Sequence, residues 1–227
     1  MRGSAGRQPI LAPLVNPVFD PRTATWDYDD FLNESPSSGT IGKLNFSTLQ
    51  GSTVAIAGET NHPGIVRRST TTTINTVSTM KLGTSDVAFT PSNAHASLWK
   101  LRVNTVDADT CVRVGAFPNS IANPFTHGVY FEKLVGDTNW FVVARGSDVQ
   151  TRDATGVVVT TGWVTLAYVR SAGGVAFYID GVAVGSVLTT NIPSAGLHFG
   201  TMLVNGAAAA KTLDHDYFEY MFNGLSR

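Results

Sequence analysis

The run Gly174-Val-Ala-Phe-Tyr-Ile-Asp-Gly-Val-Ala-Val-Gly185 constrains this chain more than any other stretch. Asp180-Gly181 between alternating apolar residues predicts a two-residue hairpin loop, because a type I′ turn needs positive φ at both central positions. In the first arm Val175, Phe177 and Ile179 fall on one face, and Ala176 and Tyr178 on the other. Just upstream, Trp163, Thr165, Ala167 and Val169 alternate with Val164, Leu166 and Tyr168. Both faces of that segment are apolar, so it is a central strand or has one face covered. Trp163 and Trp99 read as core residues on this alternation.

Similar β-type runs recur every 8–14 residues or so, the spacing of an all-β sandwich. They cover 26–34, 44–48, 52–57, 65–77, 86–90, 97–104, 110–117, 127–135, 139–145, 156–160, 163–170, 174–180, 182–188, 196–203 and 212–222. No segment keeps a 3.6-residue period for three turns. Ala207–Ala210 follows Asn205-Gly206 and is too short to hold a helix.

Residues 1–25 differ from the rest. Pro9, Pro13, Pro17 and Pro21 recur four apart. Proline fixes φ and lacks a donor, so the segment reads as an extended arm. Ile10, Leu11, Leu14, Val15, Val18 and Phe19 lie among the prolines, and disordered tails are poor in such residues. An arm that docks on its own domain or on a neighbouring subunit accounts for them. The remainder, 26–227, reads as one β domain.

Of the 227 residues 15% are charged, well below the roughly 25% of an average soluble domain. Sixteen Lys and Arg against 17 Asp and Glu leave a net charge of −1, with no basic footprint for nucleic acid. The surface must be mostly Thr, Ser, Asn and Gly, which suits neutral ligands or other protein copies. No apolar run reaches the ~18–20 residues of a membrane span, and no secretory signal is evident. The single cysteine, Cys111, excludes an internal disulfide and reads as a small buried hydrophobe.

Trp163-x-x-Leu166, Gly174-Val-x-Phe177-Tyr-Ile-Asp-Gly181, Pro193 with His198-Phe-Gly200, and Lys211-Thr-Leu-Asp-x-Asp-Tyr-Phe-Glu-Tyr220 resemble the concanavalin A-like lectin/glucanase fold, in its laminin-G-like branch. That resemblance implies an antiparallel two-sheet jelly-roll sandwich. Asp29-Asp30-Phe31, Ser37-Ser-Gly39, Asn61-His62-Pro63-Gly64-Ile65-Val66-Arg67, Gly128-Val-Tyr-Phe-Glu132 and Asn139-Trp140 are similar to segments of tailed-bacteriophage structural proteins.

Asp214-His-Asp216-Tyr-Phe-Glu219 has the spacing of a Glu-x-Asp-x-x-Glu signature found in glucanases of this fold, with Asp214 in place of the first Glu. Retaining hydrolysis needs two carboxyl groups about 5–5.5 Å apart, and the shorter Asp214 arm spoils that. In a regular strand residues 214 and 219 also face opposite ways unless a bulge intervenes. The expectation is a structural strand and no catalytic residue. Asp107 and Asp109 in one loop could supply oxygen ligands to Ca²⁺, but no coordinating pattern follows them, and Asp27, Asp29 and Asp30 form a second acidic cluster. The five dispersed histidines argue against zinc, and His62 reads as a turn residue. Asp137, Asn139 and Trp140 form a set at a loop tip that could meet a sugar, with Trp140 as an exposed stacking surface. Trp26 reads as an anchor for the arm.

The expected function is therefore a non-enzymatic phage virion structural protein, made in the host cytoplasm. It would be a capsid-surface decoration or a head or tail fibre component, held by its arm to copies of itself and to other virion proteins. The alternative is a carbohydrate-binding, lectin-like module that recognises host surface glycans.

Overall fold

The computed structural model describes residues 24–31, 40–56, 58–82, 89, 93–118 and 125–223, and every element in it is a β-strand. The arm residues Ile10 to Phe19 lie outside the described residues. Among the described residues sixteen strands, numbered in chain order, form two antiparallel sheets. The first sheet runs β14 (Val182–Leu188), β13 (Gly174–Ile179), β12 (Val164–Ser171), β7 (His95–Val103), β16 (Thr212–Asn223), β5 (Ile65–Ser69) and β4 (Ser52–Ile56). Strand β1 (Ala24–Asp29) continues the β5 position along the C-terminal half of β16, with Ala24 opposite Asn223 and Asp29 opposite Phe218. The second sheet runs β11 (Val149–Val158), β10 (Asn139–Gly146), β9 (Gly128–Lys133), β8 (Thr110–Phe117), β15 (His198–Asn205), β6 (Val77–Leu82), β3 (Phe46–Leu49) and β2 (Thr40–Ile41).

The hairpin forms as the alternation requires. Asp180 and Gly181 take φ of 49° and 81°, and the Asp180 carboxylate accepts the Thr165 N–H at 2.8 Å. Leu166, Tyr168, Val175, Phe177 and Ile179 enter the core between the sheets, while Ala167 and Val169 join a smaller cluster on the outer face. Strand β12 is thus central and two-sided. Aromatic rings join the layers: Phe46 meets Phe218 edge-on at 5.2 Å, and Phe131 meets Phe177 edge-on at 5.2 Å. Truncating a ring such as Phe177 to alanine costs about 3–5 kcal/mol.

Three expectations need correction. Trp163 precedes β12 and is half-buried at the surface, because the strand starts one residue later. Strand β11 begins at Val149, not 156, although Gln150–Gly156 is polar. It is an edge strand whose side chains meet solvent, so no apolar alternation marks it. The 65–77 run resolves into β5 and a loop, and a separate strand, β6, occupies Val77–Leu82, beyond the predicted run. Of 86–90, only Phe89 is described, bridged to Leu197.

The edges β11 and β14 meet along one flank. Asp153 of β11 accepts the Ser186 N–H of β14 at 2.8 Å, capping one of the donors a free edge exposes.

Candidate functional site

Strands β7, β9 and β11 end at the same pole of the sandwich. The loop 104–109 joins β7 to β8, and the loop 134–138 joins β9 to β10. Between them lies a cleft of about 270 Å³. Its walls are Val106, Ala108, Val158 and Val159, and its polar lining is Asp107, Asp137 and Thr138. Gly136, at φ 87°, turns the second loop over and donates to the Ala108 carbonyl at 2.7 Å, which ties the loops together.

Both carboxylates are fixed by the chain itself. Asp107 accepts from Thr110 Oγ1 at 2.7 Å and from the Asp109 N–H at 3.1 Å, and it pairs with Lys211. Burial pushes its pKa up, but the Lys211 and Thr110 hydrogen bonds outweigh that and hold it below the ordinary value. Asp137 Oδ2 accepts the Leu134 N–H at 2.8 Å and pairs with Arg152. Arg152 in turn reaches Glu132, whose other oxygen takes the buried Arg113 at 2.8 Å. The Asp137 Oδ1 keeps its acceptor capacity at the rim, on a side chain 20% exposed.

The structure therefore divides the predicted sugar-contact set. Asp137 lines the cleft, and Asn139 is half-buried at the start of β10. Trp140 is 1% exposed, in the core beside Phe131, so its ring offers no stacking surface. The cause is strand phase: Trp140, Val142 and Ala144 all belong to the inner face. Among the described residues no three His, Cys, Asp or Glu side chains converge on a possible metal position. Asp29 is buried and accepts the Phe31 and Leu44 N–H groups, while Asp27 pairs with Lys43.

A second polar cluster lies on the outer face of β16. The pairing with β7 shifts register between His215 and Tyr217. This bulge puts Asp214, Asp216 and Glu219 on one face, while Leu213, His215 and Phe218 point inward. Asp214, 0% exposed, is clamped by Arg67 at 2.6 and 2.9 Å and by Arg102 at 2.8 Å. Burial alone raises the Asp214 pKa, but the two guanidinium groups overcome it and hold the carboxyl below its ordinary range. Glu219, also 0% exposed, accepts Trp26 Nε1 at 2.6 Å and the Tyr217 hydroxyl at 3.2 Å. Asp216 bonds His62 Nδ1 at 2.8 Å, and His62 stacks on Trp163 at 4.2 Å. The Arg102 guanidinium lies 4.6 Å from the Trp163 ring centre and chelates Glu59 at 2.8 and 3.0 Å. The cluster has carboxylates, but two of them are sealed from solvent and saturated with donors.

The roles of Arg67, Arg102, Glu59, His62 and Trp163 escape sequence reading. Arg67 and Arg102 reach Asp214 only because its register partners on both neighbouring strands are arginines.

No family profile matches the chain, and no curated protein matches its sequence. Solved structures do match its fold. A protein of unknown function from Shewanella oneidensis MR-1 aligns at TM-score 0.68 and 14% identity, over 100% of this chain and 99% of that one. The carbohydrate recognition domain of Emp47p aligns at TM-score 0.60 and 12% identity, over 91% of this chain and 99% of its own length. The chain has the concanavalin A-like jelly-roll fold. A carbohydrate esterase from Shiga toxin-encoding bacteriophage phi24B shares this jelly roll at TM-score 0.54 and 14% identity, over 79% of this chain and 90% of that one. The fold thus serves binding domains and enzymes alike, and function must come from the site.

Proposed function

We propose that this chain is a non-enzymatic carbohydrate-binding domain that takes a neutral saccharide unit in the cleft at its loop pole. The carrying observation is the cleft itself, with apolar walls and carboxylates at the rim. Its volume is just under the ~300 Å³ from which drug-sized ligand pockets begin, so it suits one sugar ring or a chain end. Val106, Ala108, Val158 and Val159 suit the C–H face of a sugar. Asp137 and Thr138 suit its hydroxyls, since a carboxylate accepts charge-assisted hydrogen bonds. Lys133 and Lys211 are buried behind the rim, so the charged atoms that face the cleft are carboxylate acceptors, which suit hydroxyl donors and not the carboxylate of an acidic sugar. The sealed states of Asp214 and Glu219 favour binding over hydrolysis.

A glycan array tests this. We expect signals from uncharged hexose or N-acetylhexosamine termini and none from uronates. Val158 is 59% exposed, so Val158→Trp fills the cleft without touching the core and should weaken binding at least about tenfold, roughly 1.4 kcal/mol. An array without any signal removes the reading. A hydrolysis product that disappears in Glu219→Gln would replace it with an enzyme.

The second reading is a virion component anchored by its N-terminal arm. The low share of charged residues, the apolar residues between Pro9 and Pro21, and the jelly roll shared with a phage protein support it. Each arm side chain buried on a neighbour would contribute about 1.5–3 kcal/mol before ordering costs. Deleting residues 1–23 spares β1. If that deletion leaves binding to bare particles unchanged, the arm is not the anchor.

A further inference from the structure

A buried ammonium lies behind the cleft. Lys133 is 0% exposed. Its Nζ donates to the carbonyl oxygens of Thr110 at 2.7 Å, Asp107 at 2.8 Å and Leu134 at 3.4 Å. Asp107 and Leu134 belong to the two loops that wall the cleft, and Thr110 opens β8. On the other side, the Asp107 carboxylate holds Lys211, itself nearly buried.

Three carbonyl acceptors surround this nitrogen. Only the ammonium form carries three N–H groups, so the cage matches the charged state. Burial draws the Lys133 pKa below the ordinary lysine value, and the charge on Asp107 opposes that pull. A compact cation ringed by carbonyl oxygens near a carboxylate is also how loops hold a hard metal ion. The acidic loop that looked like a calcium ligand donor from its sequence already surrounds a positive charge.

We propose that Lys133 is a tethered cation for the loop pole: its ammonium joins the 104–109 and 134–138 loops as a bound metal ion would, so the cleft forms without metal. Lys133 is on this view a positioning residue. The proposal stands whether or not the cleft takes a sugar.

The test is thermal melting of the full chain, in calcium chloride and in EDTA, for wild type, Lys133→Met and Lys133→Ala. Wild type should melt within about 1 °C in both solutions, while Lys133→Met, with similar bulk and no charge, should lose roughly 5–10 °C. Lys133→Ala opens a cavity lined by the three carbonyls. It should recover part of its loss in calcium or in n-butylammonium, the missing side chain as a free ion. Three outcomes overturn the proposal. If wild type gains several degrees in calcium or loses them in EDTA, the site is a native metal site. If Lys133→Met matches wild type, the charge is irrelevant. If Lys133→Ala folds and responds to neither cation, there is no cation cage. If Lys133→Ala does not fold, the other two proteins still decide.

Discussion

Asp214 shows how much one residue's role depends on its neighbours. In sequence it sits where a glucanase-like signature would place a nucleophile. In the fold it is a buried anion held by two arginines. Arg67 and Arg102 are 34% and 17% exposed and Arg102 keeps Glu59, so removing the charge of Asp214 costs chiefly its charge-assisted hydrogen bonds, about 1.5–3 kcal/mol. Asp214→Asn should therefore lower stability by that order in a denaturant titration. If it costs below ~1 kcal/mol, the clamp is a surface arrangement of little weight. Trp140 teaches the complementary lesson. Its burial was legible, because Trp140 shares parity with Val142 and Ala144, and an inner strand face takes every second residue. The misleading cue was its position just after a Gly-Asp-Thr-Asn loop. Trp163 erred the other way: its parity matched Ala167 and Val169, but it precedes the strand that the alternation described.

At the scale of elements, alternation was readable wherever both faces are apolar. Strands β12, β13, β14 and β8 stand near their expected bounds for that reason. Strand β11 was only partly found, because its Gln150–Gly156 segment meets solvent and its place is fixed by pairing with β10. Register is non-local, and so are the pairs Asp214–Arg67 and Asp214–Arg102. The bulge in β16 is the sharpest case. The sequence reading identified it as the condition for residues 214 and 219 to share a face, but nothing local announced it. Asp216 is the extra residue with no partner on β7, so deleting it should leave Phe218 inward and Glu219 outward in strict alternation. Inserting an alanine after Tyr217 should instead turn Phe218–Met221 over, placing Glu219 in the core and Phe218 outside. We expect the deletion to keep a cooperative thermal transition and the insertion to lose it. A cooperative, native-like melt of the insertion would mean that the face of this strand is not what specifies the fold.

For the whole molecule, two buried histidines couple folding to pH. His95 donates from Nδ1 to the Asn93 carbonyl at 2.8 Å. His215 accepts the Thr201 hydroxyl of the opposite sheet at Nε2, 2.8 Å away. Burial depresses both from 6.5 to about 4. Between those values the unfolded chain binds more protons than the folded one, so stability is intact above about pH 6.5 and drains away as pH falls toward 4. Each ring contributes on the order of 3 kcal/mol to that slope. Melting temperature should fall steadily across this window, and His95→Gln or His215→Gln should make the fall shallower. A flat profile from pH 7 to pH 4.5 would contradict this account. The layered architecture was legible from strand spacing alone. The strand order was not, because β16 sits between β7 and β5 only once the whole chain is assembled.

The pairing of Ala24 with Asn223 has a geometric consequence. It lies beside His95, at the start of β7, whereas the cleft opens beyond Val103, at that strand's other end. Both ends of the described chain therefore emerge side by side at the pole away from the cleft. A mooring at either terminus would hold the molecule like a lamp on a bracket, with its loops turned toward whatever passes.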